Sequence, residues 1–333
     1  MKDYYQLTYR GKAKRLKALA SKALEAYDLR VVKISLLSNW FNAIYRLDTA
    51  EGKRYIIRVV LPDSGHDRDT VQAESVFLSA LTKAGYQVPQ PIANRYGETV
   101  TETAVEGVPQ ARLCIVFSWI PGVMLSKRQD EEHWYAYGVL SARLHEFARH
   151  WEAPADFKVI RYDNVFPFEE NCILFEEEQR AYFTEEQLKQ MRFCIDDIDQ
   201  KIQQLFASDT RPIVIHGDLH LWNVKVFRKQ LMPIDWEDLQ WGYPVQDVGI
   251  LLYYFTLKKG SQALIEAFQK GYESVAEWVD PDGILIEAFM VARALMLMNV
   301  IAYSQEESVE ENTEFFQENL SRIENYYQAV QKG

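Results

Sequence analysis

Basic residues are in short supply in this chain: 37 Lys and Arg stand against 48 Asp and Glu, giving a net charge of −11 at pH 7. Nonspecific nucleic-acid binding needs a basic surface to neutralise phosphates, so no nucleic-acid partner is expected. The acidity would suit a cationic substrate, but solubility alone accounts for it. Cysteine is scarcer still. Cys114, Cys172 and Cys194 are odd in number, far apart and without a Cys-x-x-Cys pair, which excludes a disulfide framework and points to a reducing, cytoplasmic setting. The residues after Met1 lack the apolar core of a signal peptide. No Gly/Ser-rich, collagen-like or prion-like stretch occurs, and no internal repeat. The most apolar stretch, Ile284 to Tyr303, contains Glu287 and Arg293. It reads as a buried core helix rather than a membrane span, so a soluble protein with no membrane partner is expected.

What is present is the material of an ordinary globular protein: 333 residues, 48% hydrophobic and 26% charged, enough for one large domain or two moderate ones. Lys12 to Tyr27 interleaves basic residues with Leu16, Leu19 and Leu24 and reads as an amphipathic helix packed on the N-terminal part of the fold. Val31–Leu37, Ala43–Asp48 and Tyr55–Leu61 are short β-branched or aromatic runs, the last two joined through Glu51-Gly52 as in a hairpin. Val71 to Ala84 reads as a helix stopped by Gly85, and the prolines of Gln87-Val-Pro-Gln-Pro91 keep the next segment extended. Strands around Thr99–Val105 and Arg112–Ser118 complete a sheet-rich beginning. After Trp119-Ile-Pro-Gly122 the character changes: Glu131 to His150 is a long helix, and helices dominate from about Thr184. The expected layout is α+β, a small antiparallel sheet lobe with one helix followed by a larger, mainly helical lobe, and a crevice between two such lobes is a usual place for a ligand.

The chemistry concentrates in one segment. Ile213-Val-Ile215, a short buried strand, runs into His216-Gly-Asp-Leu-His-Leu-Trp-Asn223. Val224–Phe227 and Leu231–Ile234 then read as a hairpin turning at Arg228-Lys-Gln230 and delivering Asp235-Trp-Glu-Asp238. An antiparallel pair brings its two ends side by side, so Asn223 and Asp235 should converge. Two hard oxygen ligands with room for waters and phosphate oxygens suit Mg²⁺. Asp218, just upstream, can then accept a proton from an attacking hydroxyl. Phosphoryl transfer needs these parts: a positioned nucleophile, charge neutralisation and a carboxylate at the incoming oxygen. An isolated Asp-x-x-x-x-Asn is more often a turn or a cap. Here the preceding strand, the His-x-Asp-x-x-x-x-Asn spacing and the hairpin ending in Ile-Asp together point to catalysis.

These segments resemble the aminoglycoside phosphotransferase and choline kinase-like superfamily, whose fold is that of the protein kinases. His216-Gly-Asp-Leu-His-Leu-Trp-Asn-Val224 is similar to its catalytic loop, with Leu-Trp in place of the usual Pro-Gly, and Pro233-Ile-Asp-Trp-Glu237 to its metal-binding segment. The resemblance extends along nearly the whole chain. It implies an N-terminal nucleotide-binding lobe over residues 1–117, a hinge at 118–122 and a C-terminal catalytic and substrate-binding lobe over 123–333. It further implies ATP, or GTP in its place, with Mg²⁺; Asp218 as base; and Asn223 and Asp235 on the metal. Ser38-Asn-Trp-Phe-Asn-Ala-Ile-Tyr-Arg46 resembles the turn covering the nucleotide, without the glycine-rich loop of protein kinases. Ser38 and Asn42 would then contact phosphate through backbone amides and short polar groups.

Arg58, in Tyr55-Ile-Ile-Arg-Val59, stands where protein kinases carry the phosphate-binding Lys, and a guanidinium can grip phosphate in a bidentate way. A surface Arg on an edge strand is the plainer alternative. Glu74 resembles the acidic partner of that cation. The backbone of Ser118 and Ile120 would bond adenine. Trp241-Gly-Tyr-Pro-Val-Gln-Asp247 resembles the segment that buttresses the catalytic loop, with Asp247 capping the next helix and His216 shaping the loop. Glu237 and Asp238, directly after the metal ligand, are candidates for substrate contact.

Two other patterns are set aside. His145 and His150 are five residues apart and would not share a helix face as zinc ligands do. His216 and His220 lack a third soft ligand at sensible spacing. The acidic runs 176–178, 185–186 and 306–318 read as solvated helix faces. The expected function is a kinase acting on a hydroxyl of a small molecule that is aminoglycoside-, choline-, sugar- or amino-alcohol-like. A bacterial protein Ser/Thr kinase of the same fold and a non-catalytic nucleotide-binding pseudokinase are the alternatives. Oligomeric state is not encoded in any of these motifs.

Overall fold

The computed structural model describes residues 3–39, 42–168, 171–256, 261–303 and 309–332. Trp40 and Phe41 of the expected nucleotide-covering turn lie outside the described residues, as do Glu306 and Glu307 of the last acidic run. The chain forms two compact units that are not continuous in sequence. One comprises Met1–Val123, Ala153–Val159 and Lys225–Glu237; the other comprises Met124–Glu152, Ile160–Val224 and Asp238–Gly333.

The first unit is built on a five-stranded antiparallel sheet of β1 (Val31–Asn39), β2 (Asn42–Thr49), β3 (Arg54–Val60), β4 (Val100–Thr103) and β5 (Arg112–Ser118), in the order β1-β2-β3-β5-β4. The β2–β3 turn falls at Glu51-Gly52 as the sequence implies, with Gly52 at φ 75°. Helix α1 (Tyr9–Leu24) begins three residues before the expected start because the Thr8 hydroxyl accepts the Gly11 amide as an N-cap. It buries Ala13, Leu16, Leu19, Ala20, Ala23 and Leu24, the i, i+3, i+4, i+7 stripe of an amphipathic helix. All of these but Ala13 join Ala43, Tyr45, Leu47, Ile57, Val59, Cys114 and Val116 in one core. At about 1.5–3 kcal/mol for each large apolar side chain, this burial rather than helix propensity holds α1 in place. Helix α2 (Arg68–Lys83) also starts before the expected Val71, because Asp67 and Thr70 form a reciprocal capping box; it ends ahead of Gly85, at φ 91°.

Three short strands, β6 (Val123–Met124), β7 (Ile160–Arg161) and β8 (Ile213–Ile215), precede the hairpin of β9 (Val224–Phe227) and β10 (Gln230–Pro233) in the chain. The hairpin turn residues Arg228 and Lys229 both take positive φ, 49° and 66°, the two-residue turn whose twist suits a hairpin. After the hairpin, Trp236 packs its ring 5.9 Å from Phe77 of α2.

The second unit is mainly helical: α3 (Glu131–His150), α4 (Glu185–Ala207), α5 (Pro244–Thr256), α6 (Gln262–Glu273), α7 (Ile284–Tyr303) and α8 (Val309–Lys332). A small sheet in the order β7-β11-β8, with β11 at Gln240–Gly242, accompanies them. Strands β7 and β11 were not expected, since two and three residues are too short to show a period of two. Helix α3 lies against α6 so closely that a Cβ at Gly138 would stand 1.9 Å from the Phe268 carbonyl oxygen. Trp134, Tyr137, Phe255 and Phe268 form the aromatic core there, with the Trp134 and Phe255 ring centroids 3.7 Å apart. Helix α7 is long and apolar enough to cross a membrane by length and composition alone, but two thirds of it is buried in this unit, as expected of a core helix.

Candidate active site

The second unit carries the His216–Asn223 loop. Strand β8 is fully buried and ends at Ile215, just before His216, and Gly217 turns the chain at φ 80°. A Cβ there would meet the Asp238 carbonyl oxygen at 2.1 Å, so position 217 accepts only glycine. The loop is anchored from beneath by Asp247, whose two carboxylate oxygens accept the His216 amide at 3.0 Å and the Gly217 amide at 2.9 Å. His145 of α3 completes the anchor, with Nε2 3.2 Å from Asp247 and Nδ1 2.9 Å from the Tyr272 hydroxyl. Burial pushes the Asp247 carboxyl upward, yet the bonds from His145 and His216 outweigh it and hold the group below its ordinary range. Asp247 does not cap α5 as expected: that helix begins at Pro244, a residue suited to the first helical position, and Asp247 is already within its first turn, facing the loop. The Tyr137 hydroxyl adds a further tether, donating to the Leu219 carbonyl at 2.8 Å.

Held this way, Asp218 is largely buried but still open to solvent. Asn223 donates its Nδ2 to the Asp218 carbonyl at 3.0 Å and to Asp218 Oδ2 at 2.8 Å. With Nδ2 so engaged, the amide's other end is Oδ1, a hard oxygen. The backbone amide of Asp218 reaches His216 Nδ1 at 3.3 Å, consistent with a loop-shaping role for that ring. On its other oxygen Asp218 accepts a hydrogen bond from Arg293 Nη2. Arg293 is in turn bonded through Nε and Nη2 to the Tyr254 hydroxyl at 3.2 and 2.7 Å. His220 Nε2 lies 3.4 Å from Asp218 Oδ2; burial lowers the affinity of this ring for a proton, against the pull of Asp218. His220, Trp222 and Tyr254 meet edge to face, with centroids 4.6 to 5.6 Å apart, and Trp222 is exposed. Asp238 acts electrostatically on Tyr254 and Arg293.

The first unit holds a second cluster. Arg58 is not on an edge: β3 runs between β2 and β5, and Arg58 is 4% exposed. Both of its terminal nitrogens donate to Glu74, the partner expected from α2, and Nη1 also lies 3.2 Å from Glu237 Oε2. Burial opposes the Arg58 charge, but Glu74 and Glu237 more than compensate and raise its pKa. Glu237 thus lies beside the cation, where it also accepts from Asn42 Nδ2. The Asn42 Oδ1 accepts the Leu61 amide at 3.2 Å, which fixes the side chain after the β1–β2 connection. Ser38 pairs with Ile44 in β1–β2, just past a register irregularity. Asp235, which contributes to the charge stabilisation of Arg58, takes φ 65°. A left-handed Asp is a sparsely populated conformation and concentrates at functional sites. In the expected adenine segment, the Ser118 amide donates to the Gln90 carbonyl at 2.9 Å and the Ile120 carbonyl accepts from Lys225 Nζ at 2.9 Å. The adenine-binding expectation therefore rests on the Ser118 carbonyl and the Ile120 amide.

No group of three or more His, Cys, Asp or Glu side chains is placed to hold a metal among the described residues. Mg²⁺ needs fewer, because it keeps several waters and takes substrate phosphates as ligands. A carboxylate such as that of Asp235 and an amide oxygen such as that of Asn223 are hard donors of the kind this ion takes. A separate cavity of about 780 Å³ lies among α4, α7 and α8, lined by residues such as Lys201, Glu287, Arg322 and Tyr326 and by none of the predicted site residues.

Sequence reasoning missed the role of Arg293, Tyr254 and His145. The one signal for Arg293 was a charge inside an otherwise apolar helix.

The profile of the phosphotransferase enzyme family matches residues 33–283. Amicoumacin kinase of Bacillus subtilis (strain 168) is 24% identical over 285 residues, covering 80% of this chain and 78% of that protein. The structure of the amicoumacin kinase hAmiN in complex with AMP-PNP, Ca²⁺ and Ami superposes with a TM-score of 0.76 at 19% identity, over 94% of this chain and 96% of that one. A microcompartment-associated aminopropanol kinase gives 0.75 at 21% identity, over 93% and 97%. Spectinomycin phosphotransferase APH(9)-Ia, in complex with ADP and spectinomycin, gives 0.61 at 13%, over 97% and 99%. The α+β, protein-kinase-like fold expected from the sequence is the fold of these structures.

Proposed function

The chain belongs to the phosphotransferase enzyme family, and we propose that it moves the γ-phosphate of ATP to a hydroxyl of a small molecule, with Asp218 as the base. The observation that carries this reading is the loop itself: a carboxylate oriented by Asn223, on a backbone pinned by buried Asp247. A base held this way loses little to reorganisation when the acceptor arrives.

In this reading the acceptor hydroxyl hydrogen-bonds to Asp218 and gives up its proton to that carboxylate as its oxygen bonds to phosphorus. Arg58 grips phosphate oxygens, kept charged and aligned by Glu74. Asn223 and Asp235 would hold Mg²⁺, which when bound neutralises charge on the phosphate oxygens. Ser38 and Asn42 contact the nucleotide from the β1–β2 connection, and the Ser118 carbonyl and Ile120 amide take adenine. Burial lowers the affinity of His220 for a proton, which disfavours a second positive charge beside the base. Asp238 and the exposed Trp222 are the groups offered to the acceptor. Amino-alcohols and amicoumacin are the first acceptors to try, because amicoumacin kinase and aminopropanol kinase are among the similar proteins.

The test is transfer of γ-labelled phosphate from ATP, with GTP alongside, to a panel of amino-alcohols, choline, sugars and aminoglycosides. Product is identified by the mass gain of one phosphoryl group. Labelling of at least one small hydroxyl compound is expected. Labelled protein with no labelled small molecule would replace this reading with that of a protein kinase.

A further inference from the structure

Asp218 has a partner that the proposed reaction does not use. Arg293 projects from the middle of α7, a helix whose other buried residues are apolar apart from Asn299. Burying a guanidinium there is costly unless it is paired and hydrogen-bonded. Its bonds go to two groups, the Asp218 carboxylate and the Tyr254 hydroxyl of α5. Tyr254 is itself largely buried and wedged edge-to-face against His220 and Trp222 of the catalytic loop. Asn223 fixes one oxygen of Asp218 and Arg293 the other. A carboxylate held at both oxygens cannot rotate about its χ2 angle, so the lone pairs left for an acceptor hydroxyl point in one direction.

Resting on the phosphotransferase reading above, we propose that Arg293 is a positioning residue for the base. Braced by Tyr254, it holds the Asp218 carboxylate in the orientation that receives the acceptor's proton, without itself touching nucleotide or acceptor. The purpose of the buried cation is the angle of Asp218 rather than substrate charge.

The experiment measures ADP release from Mg-ATP with 1-amino-2-propanol as acceptor and with water alone. The proteins are wild type, Arg293→Met, Arg293→Lys, Tyr254→Phe, Asp218→Asn and the double variant Asp218→Asn/Arg293→Met. Arg293→Met should lower kcat by about 10²-fold, the scale of misplacing a catalytic group by an ångström, with the KM for ATP unchanged. Arg293→Lys should recover part of that loss. Tyr254→Phe, which removes one oxygen and leaves the packing, should lose on the order of 10-fold by loosening the guanidinium. In the Asp218→Asn background the Arg293 change should have no further effect on kcat, because residues acting as one unit are non-additive. A structural role alone would give multiplicative losses and a raised KM for ATP, and would overturn the proposal. So would wild-type kcat in Tyr254→Phe together with Arg293→Lys. Wild-type protein without turnover on water, 1-amino-2-propanol or any other acceptor of the panel above, or Asp218→Asn at full turnover, would instead remove the phosphotransferase reading and this proposal with it.

Discussion

Asp247 links the fold to the chemistry, and replacing it by Ala gives a prediction on both. Its carboxylate accepts two backbone amides, at 3.0 and 2.9 Å, and the His145 ring at 3.2 Å, all of them buried. A hydrogen bond to a charged group contributes about 1.5–3 kcal/mol, and an unpaired buried donor costs about 1–3 kcal/mol. The three bonds are not independent, so about 3–5 kcal/mol is the reasonable total for Asp247→Ala. For a unit of this size that is a fall in melting temperature on the order of 10 °C. Because the lost bonds hold His216 and Gly217, kcat should fall by about 10²-fold even at temperatures where the variant is folded.

Asp247→Asn adds a test of sign. The folded-state carboxyl lies below its ordinary value of 3.8, so its contribution is fully present above that pH and is lost as pH falls through the folded value. The advantage of wild type over Asp247→Asn should therefore be constant from pH 7 to 5 and shrink below about pH 4. Thermal melts across pH 3–7 with parallel turnover assays measure both effects. An Ala variant that melts within about 1 °C of wild type and turns over normally would refute the reasoning.

Gly217→Ala should cost about 2–5 kcal/mol, from left-handed backbone and a Cβ 2.1 Å from the Asp238 carbonyl oxygen, and should disable turnover; circular-dichroism melts and kinetics check it. Arg58→Met should reduce kcat/KM for ATP by about 10²-fold or more and destabilise the first unit, because it takes from buried Glu74 and partly buried Glu237 the cation they share. Arg58→Lys, which keeps the charge and loses the fork, should fall between the two. Cys114 and Cys194 are buried, their thiols pushed up to about 12, so a thiol reagent should modify native protein at Cys172 first and at all three only after unfolding.

Much of this was legible in the sequence for local reasons. Strands β1 to β3, the β9–β10 hairpin and the glycine stop after α2 follow from period-2 runs and turn residues, signals that span a few positions. Helix starts were misjudged by about three residues at α1 and α2, where a Thr and an Asp–Thr pair cap the helix ahead of its apolar stripe. The Asp218–Asn223 bond closes over five residues, and the loop spacing announced it. The Arg293–Asp218 pair spans 75 residues and His145–Asp247 spans 102, and no local pattern encodes such meetings. His145 drew no attention beyond its spacing from His150, and its work as an anchor on Asp247 depends on how α3 packs. Glu237, one residue from Asp238, was expected to serve the same substrate; in the structure its carboxylate is on Arg58 while Asp238 acts on Arg293.

The central claim is that Asp218 receives the proton of a small-molecule hydroxyl as it takes phosphate from ATP. Once the panel has identified an acceptor, the direct measurement is its turnover by Asp218→Asn at saturating ATP, with ATP binding followed by calorimetry on the same preparation. The account predicts ATP binding within a few-fold of wild type and kcat lowered by about 10²–10⁴-fold. Undiminished turnover by a folded Asp218→Asn protein would contradict it.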